Sequence, residues 1–135
     1  MAKVLIIEDQ VVLCRLYETV LRRFGHDVTA VQSGEAGVAT ALRLSPDLVI
    51  MDMVLPGISG AEAAEKLREA GILPSTPLIL TTALGDDDAR YAARSIGATD
   101  LLLKPFDIGT MLASVNAALL PSAHTPPSQQ VASGS

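Results

Sequence analysis

This sequence predicts an α/β fold built on one parallel sheet, and three observations predict it. Five short apolar runs recur along the chain: KVLII, DVTAV, LVIMD, LILTT and DLLL. They alternate with stretches whose apolar residues fall at helical spacing. Glycine, or a Ser-Pro pair, closes most of those stretches, as expected just past a helix end. Strands joined by helices imply parallel neighbours and right-handed crossovers. The 135 residues suit one domain.

Lys3 to Ile7 reads as a buried strand that runs into Glu8 and Asp9. A helix over residues 11–24 follows, with Leu13, Leu16, Tyr17, Val20 and Phe24 on one face and Gly25 stopping it. Cys14 falls on the margin of that stripe or outside it, with no neighbour marking it as reactive. Asp27 to Val31 is the second strand. Ser33 then caps a helix over 34–44 with a light face of Ala36, Ala39 and Leu42, ended by Ser45-Pro46.

The third strand, Leu48 to Asp52, consists of large apolar residues until its last position. Such a strand is buried on both faces, and a carboxylate inside it would be costly, so Asp52 belongs where the backbone surfaces. Ser59 and Glu62 form a capping-box pattern for a helix over 60–70. Leu78 to Thr82 is the fourth strand. Asp86, Asp87 and Asp88 open the next helix, where acids suit the positive end of the dipole. Asp100 to Leu103 is the fifth strand, and Asp107 caps a last helix facing inward through Ile108, Met111, Leu112, Val115 and Leu119. From Pro121 the composition turns to small and polar residues. Residues 1–120 therefore read as the folded domain, and 121–135 as a disordered tail or linker.

Composition narrows the function. Hydrophobic residues make up 49% of the chain, enough for a sizeable core. No apolar run is long enough to cross a bilayer, and no signal peptide opens the chain, since Glu8 and Asp9 interrupt it. One cysteine rules out an internal disulfide, which favours a soluble cytoplasmic protein without membrane contact. The net charge of -5, with no basic stripe, argues against direct nucleic-acid binding.

Chemistry concentrates at the strand ends. The first strand gives Glu8 and Asp9, the third Asp52, the fourth Thr82 and the fifth Lys104 followed by Pro105. Parallel strands bring these ends to one edge, where ligands of α/β sheets bind. Three clustered carboxylates repel, and a hard cation such as Mg²⁺ relieves that repulsion. With a lysine and a hydroxyl beside them, the set suits phosphoryl transfer with Asp52 as nucleophile. Each residue alone has a plainer explanation: a turn-forming acid, a surface lysine, a β-forming threonine. It is the coincidence in one chain that carries the chemistry.

Through IIED, MDMVLPGISG, TTA and KPF, residues 3–120 resemble the receiver domain of bacterial two-component response regulators. The resemblance implies a doubly wound, flavodoxin-like sheet in the order 2-1-3-4-5. It implies Asp52 as phosphoacceptor, fed by a sensor histidine kinase or a histidine phosphotransfer protein. It implies Mg²⁺ held by Glu8, Asp9, Asp52 and the backbone carbonyl of Val54. Thr82 and Lys104 match the residues that contact phosphoryl oxygens, and the Lys104–Pro105 bond is expected to be cis. On this reading the chain is not an enzyme beyond its own phosphorylation and dephosphorylation.

One departure is Leu101, where the family usually carries an aromatic switch residue; Tyr91 is a candidate substitute. Apolar Val54 and Leu84 flank the expected phosphoryl site and are expected to obstruct an attacking water. Val11 and Val12 lie off the core stripe and are available for a donor or for covering the sheet rim. The chain is expected to be a monomer or a weak homodimer through the fourth helix, fifth strand and fifth helix.

No effector pattern follows the domain, so the sequence reads as a stand-alone or an excised receiver. Rival readings are an aspartyl phosphatase or phosphotransferase, a flavodoxin-like nucleotide or flavin binder and a phosphorylation-independent binding module. The first commonly needs a second acid where Val54 stands. The second lacks a glycine-rich loop after the first strand. The third is opposed by the intact acidic cluster.

Overall fold

The computed structural model describes residues 2–120. The predicted tail, 121–135, lies outside the described residues. Strands β1 (Lys3–Ile7), β2 (Asp27–Val31), β3 (Leu48–Asp52), β4 (Leu78–Thr82) and β5 (Asp100–Leu103) alternate with five helices. These are α1 (Val11–Arg23), α2 (Gly34–Leu44), α3 (Gly60–Glu69), α4 (Asp86–Ile96) and α5 (Ile108–Leu119). The strands form one parallel sheet in the order β2-β1-β3-β4-β5.

Strand side chains alternate between faces, and the core divides accordingly. Val4, Ile6, Leu48, Ile50, Ile79 and Leu102 pack with Tyr17 and Leu21 of α1 and Met111, Val115 and Ala118 of α5. Leu5, Ile7, Val49, Met51, Leu78 and Leu80 pack on the other side, with Ala41 of α2, Ala63, Ala64 and Leu67 of α3, and Ile96 of α4. Both faces are covered, so the central strands carry apolar side chains at nearly every position.

The caps follow the sequence closely. Ser33 accepts from the Ala36 N–H, Asp107 accepts from the Thr110 N–H, and Ser59 with Glu62 forms a full capping box. Two helix faces differ from expectation. In α1 the buried residues are Cys14, Tyr17 and Leu21, whereas Leu16 is 44% and Phe24 60% exposed. The inward stripe is turned toward Cys14, whose thiol reaches the Glu8 carbonyl just past the end of β1. In α2 the buried residues are Gly34, Gly37, Thr40 and Ala41, and Leu42 is exposed. A side chain at Gly37 would run into Ile7, so that glycine sets how closely α2 approaches β1.

Candidate functional site

Alternation decides which strand-end residues meet. Glu8 continues the face of Val4 and Ile6, Asp52 that of Leu48 and Ile50, and Lys104 that of Leu102, all toward α1 and α5. β1 and β3 are neighbours, so Glu8 and Asp52 are adjacent. β4 separates β5 from β3, and the long lysine stem spans that gap. Lys104 Nζ donates to Glu8 Oε1 at 2.8 Å and to Asp52 Oδ2 at 2.7 Å. Its side chain is only 15% exposed, and those of Glu8 and Asp52 are 2% and 7% exposed.

Backbone groups complete the arrangement. Gln10 N–H donates to Glu8 Oε2, and Val54 N–H donates to Asp52 Oδ1, each at 3.0 Å. The loop after β3 returns tightly to this point. A side chain at Gly60 would meet the Met53 carbonyl oxygen at 2.7 Å, and the Gly60 N–H donates to that same oxygen. The start of α3 thereby braces the backbone that carries Asp52.

The charges do not balance. Glu8, exposed Asp9 and Asp52 offer one carboxylate oxygen each, all within 4.8 Å of one another, against the single Lys104 ammonium. Burial pushes the Glu8 carboxyl up; the Lys104 and Gln10 hydrogen bonds pull it down, and the nearby Asp52 charge adds to the rise. For Lys104, burial disfavours the ammonium, but hydrogen bonds and attraction from Asp52 and Glu8 outweigh it, and the group lies above the usual lysine range. A compact set of hard oxygen donors with excess negative charge fits a small divalent cation such as Mg²⁺. Each carboxylate oxygen keeps a second lone pair for it.

Thr82 sits differently. It continues the face of Leu78 and Leu80, on the opposite side of the sheet from Asp52. It is fully buried, and its hydroxyl accepts from the Leu84 N–H at 3.1 Å. Its carbonyl accepts from the Lys104 N–H at 2.7 Å, tying the ends of β4 and β5. Val54 and Leu84 flank the edge at 63% and 39% exposure. The Lys104–Pro105 peptide is cis. Leu101 is half-buried beside the α2–α4 core, and Tyr91 on α4 is 70% exposed, so Tyr91 does not fill a switch pocket here.

Sequence reasoning missed Cys14. Its thiol is buried and donates to the Glu8 carbonyl oxygen at 3.0 Å. Burial pushes this thiol up, with the negative Glu8 nearby adding to the rise, so it is not a reactive thiolate. The available signal was its spacing of three before Tyr17 and seven before Leu21. Beside the site, a groove of about 300 Å³ runs between α1 and the start of α5, lined by Leu13, Leu16, Tyr17, Pro105, Phe106 and Ile108. The Tyr17 and Phe106 rings stack in it, with centroids 5.8 Å apart.

Such a sheet, in the order β2-β1-β3-β4-β5 with an acidic trio and a lysine at its carboxyl edge, defines a doubly wound, flavodoxin-like α/β domain. A family model described as the response regulator receiver domain matches residues 4–116. The chain belongs to that family, which supports a phosphoacceptor role in two-component signalling. It is 37% identical over 119 residues to the response regulator ArlR of Staphylococcus saprophyticus, covering 88% of this chain and 53% of ArlR. The chain thus spans about half the length of the curated relatives it matches.

Among solved structures, a putative response regulator from Chloroflexus aurantiacus superposes with a TM-score of 0.81 at 32% identity, covering 87% of this chain and 97% of that one. CheY4 of Vibrio cholerae gives 0.82 at 27% identity, covering 88% and 99%. The receiver domain of a sensor histidine kinase from Pseudomonas aeruginosa gives 0.80 at 29%, covering 87% and 97%, and has a magnesium ion coordinated in its active-site cleft. No helix among the described residues is long and apolar enough to cross a membrane.

Proposed function

We infer that Asp52 takes a phosphoryl group from a phosphohistidine on a sensor histidine kinase or a histidine phosphotransfer protein. The observation that carries this reading is the bridge of one lysine between two buried carboxylates, with a third carboxylate alongside. An Asp52 oxygen attacks phosphorus, the phosphorus–nitrogen bond breaks, and its electron pair stays on the imidazole. Lys104 is already charged and within reach of the oxygens on which negative charge gathers. Glu8, Asp9, Asp52 and the Val54 carbonyl would hold Mg²⁺, which when bound supplies further neutralisation of the phosphoryl oxygens.

The Thr82 hydroxyl serves as a donor to the acyl phosphate once it leaves the Leu84 N–H. Because it starts on the other face of the sheet, that step moves the β4–α4 turn and biases a two-state equilibrium. Leu101 gives such a movement no aromatic ring to carry, so the readout lies in the position of α4 itself. Residues 1–120 act as the receiver unit, catalysing only their own phosphorylation and dephosphorylation. Self-association, if it accompanies the switch, uses α4, β5 and α5.

The test is incubation with acetyl phosphate and Mg²⁺, followed by mass spectrometry. The expected product is a single base-labile phosphoryl group on Asp52, absent from Asp52→Asn. A wild-type chain that stays unmodified with small donors and with phosphorylated histidine proteins would favour a receiver fold that signals by binding alone.

A further inference from the structure

We propose that Cys14 is a positioning residue for the acidic pair, acting through the Glu8 carbonyl. This rests on the metal-assisted reading above. The Glu8 carbonyl belongs to the peptide plane that joins Glu8 to Asp9, and that plane is rigid. Its orientation places the Asp9 nitrogen and Cα, the points from which the Asp9 side chain departs. Asp9 has no other restraint: among the described residues its carboxylate makes no hydrogen bond and no ion pair, and it is exposed.

Glu8, by contrast, is fastened on every side. Its N–H donates to the Val31 carbonyl at 3.0 Å, and its carboxylate is held by Lys104 and the Gln10 N–H. Its carbonyl precedes the first carbonyl of the α1 ladder, the Gln10 oxygen that accepts from the Cys14 N–H. The helix therefore offers the Glu8 carbonyl no backbone donor, and the Cys14 thiol supplies one. The thiol is in turn within reach of Gln32 Nε2, at 4.0 Å, just past the end of β2. Cys14 joins β1, α1 and β2 at the point from which Asp9 projects.

An alanine here leaves the Glu8 carbonyl without its donor and frees the Glu8–Asp9 peptide to turn. A serine keeps a donor on a slightly shorter stem. Outer-shell partners of metal ligands commonly change affinity tenfold or more. The experiment uses the full chain and Mg²⁺ alone, titrated by calorimetry, with thermal unfolding of each variant measured with and without Mg²⁺. Cys14→Ala is expected to weaken Mg²⁺ roughly tenfold and to shrink the rise in Tm that Mg²⁺ produces. Cys14→Ser is expected to restore most of both. A purely structural role would lower the metal-free Tm and leave Mg²⁺ affinity alone. Unchanged affinity in Cys14→Ala, or equal weakening in both variants, overturns the proposal while leaving the phosphoacceptor reading intact. A wild-type chain that takes up no Mg²⁺ overturns both.

Discussion

Lys104 holds together a cluster that would otherwise repel itself, and the consequences can be measured residue by residue. Replacing it with Met leaves Glu8 and Asp52 buried without their cation, which is expected to cost about 3–5 kcal/mol near neutral pH. The loss shrinks on acidification, as the carboxylates protonate. Urea unfolding at neutral and acidic pH checks this, and an equal loss at both would exclude the ion pairs as its source. The wild-type signs differ between partners. Glu8 has a raised folded pKa, so its contribution stabilises at low pH and is lost as pH climbs from 4.5 through the folded value. Lys104 is also raised, so its contribution is present below 10.5 and lost as pH rises through its own folded value. Glu8→Gln should therefore gain stability relative to wild type as pH rises from acid to neutral, and a constant difference would contradict the assignment. At the rim, Val54 and Leu84 offer a water no proton acceptor. Replacing them with Asn and Glu is expected to speed loss of the Asp52 phosphoryl group by roughly tenfold or more, read as the decay of phosphoprotein after the donor is removed.

Helices report how local signals and packing divide the work. The α3 capping box was legible as Ser59-x-x-Glu62, and Ser59→Ala is expected to cost about 1 kcal/mol in denaturant unfolding. The strand ends were equally legible, because a polar residue closing an apolar run has few places to go. The inward face of α1 was not. Leu16 and Phe24 are more apolar than Cys14, and spacing alone ranks them as core. The packing instead places Cys14 beneath the β1 loop and leaves Leu16 on the groove wall. The face of Thr82 follows from parity with Leu78 and Leu80, which puts its side chain across the sheet from Asp52. The same α1 exposes Val11 and Val12, at 47% and 78%. If a donor docks there, Val12→Asp will slow transfer from a phosphohistidine protein by about tenfold and leave phosphorylation by acetyl phosphate unchanged. Equal slowing with both donors would place the effect in the chemistry instead.

Across the whole molecule, the sheet sets a stable frame and its carboxyl edge works against that stability. Both faces of the sheet are sealed by apolar packing, whereas the edge gathers three carboxylates around one ammonium. α4 is the helix least committed to the frame, since only Ala89 and Ile96 are buried, and such elements are the ones that open and move first. The stored repulsion can be relieved in two ways, by a cation or by removing a charge, and the two should not add. A ligand present at a hundredfold its Kd stabilises by about 2.7 kcal/mol, so Mg²⁺ near that level is expected to raise wild-type stability by that order. Asp52→Asn removes one of the repelling charges and keeps a hydrogen-bonding group of the same shape. Lys104 keeps its bond to Glu8 in this variant, so the variant is expected to be no less stable than wild type without metal and to lose most of the Mg²⁺ increment. Paired urea titrations, with and without Mg²⁺, decide the matter. If Asp52→Asn were instead less stable without metal and gained as much from Mg²⁺ as wild type does, position 52 would be a structural anchor for Lys104 and not the centre of a cation-binding edge.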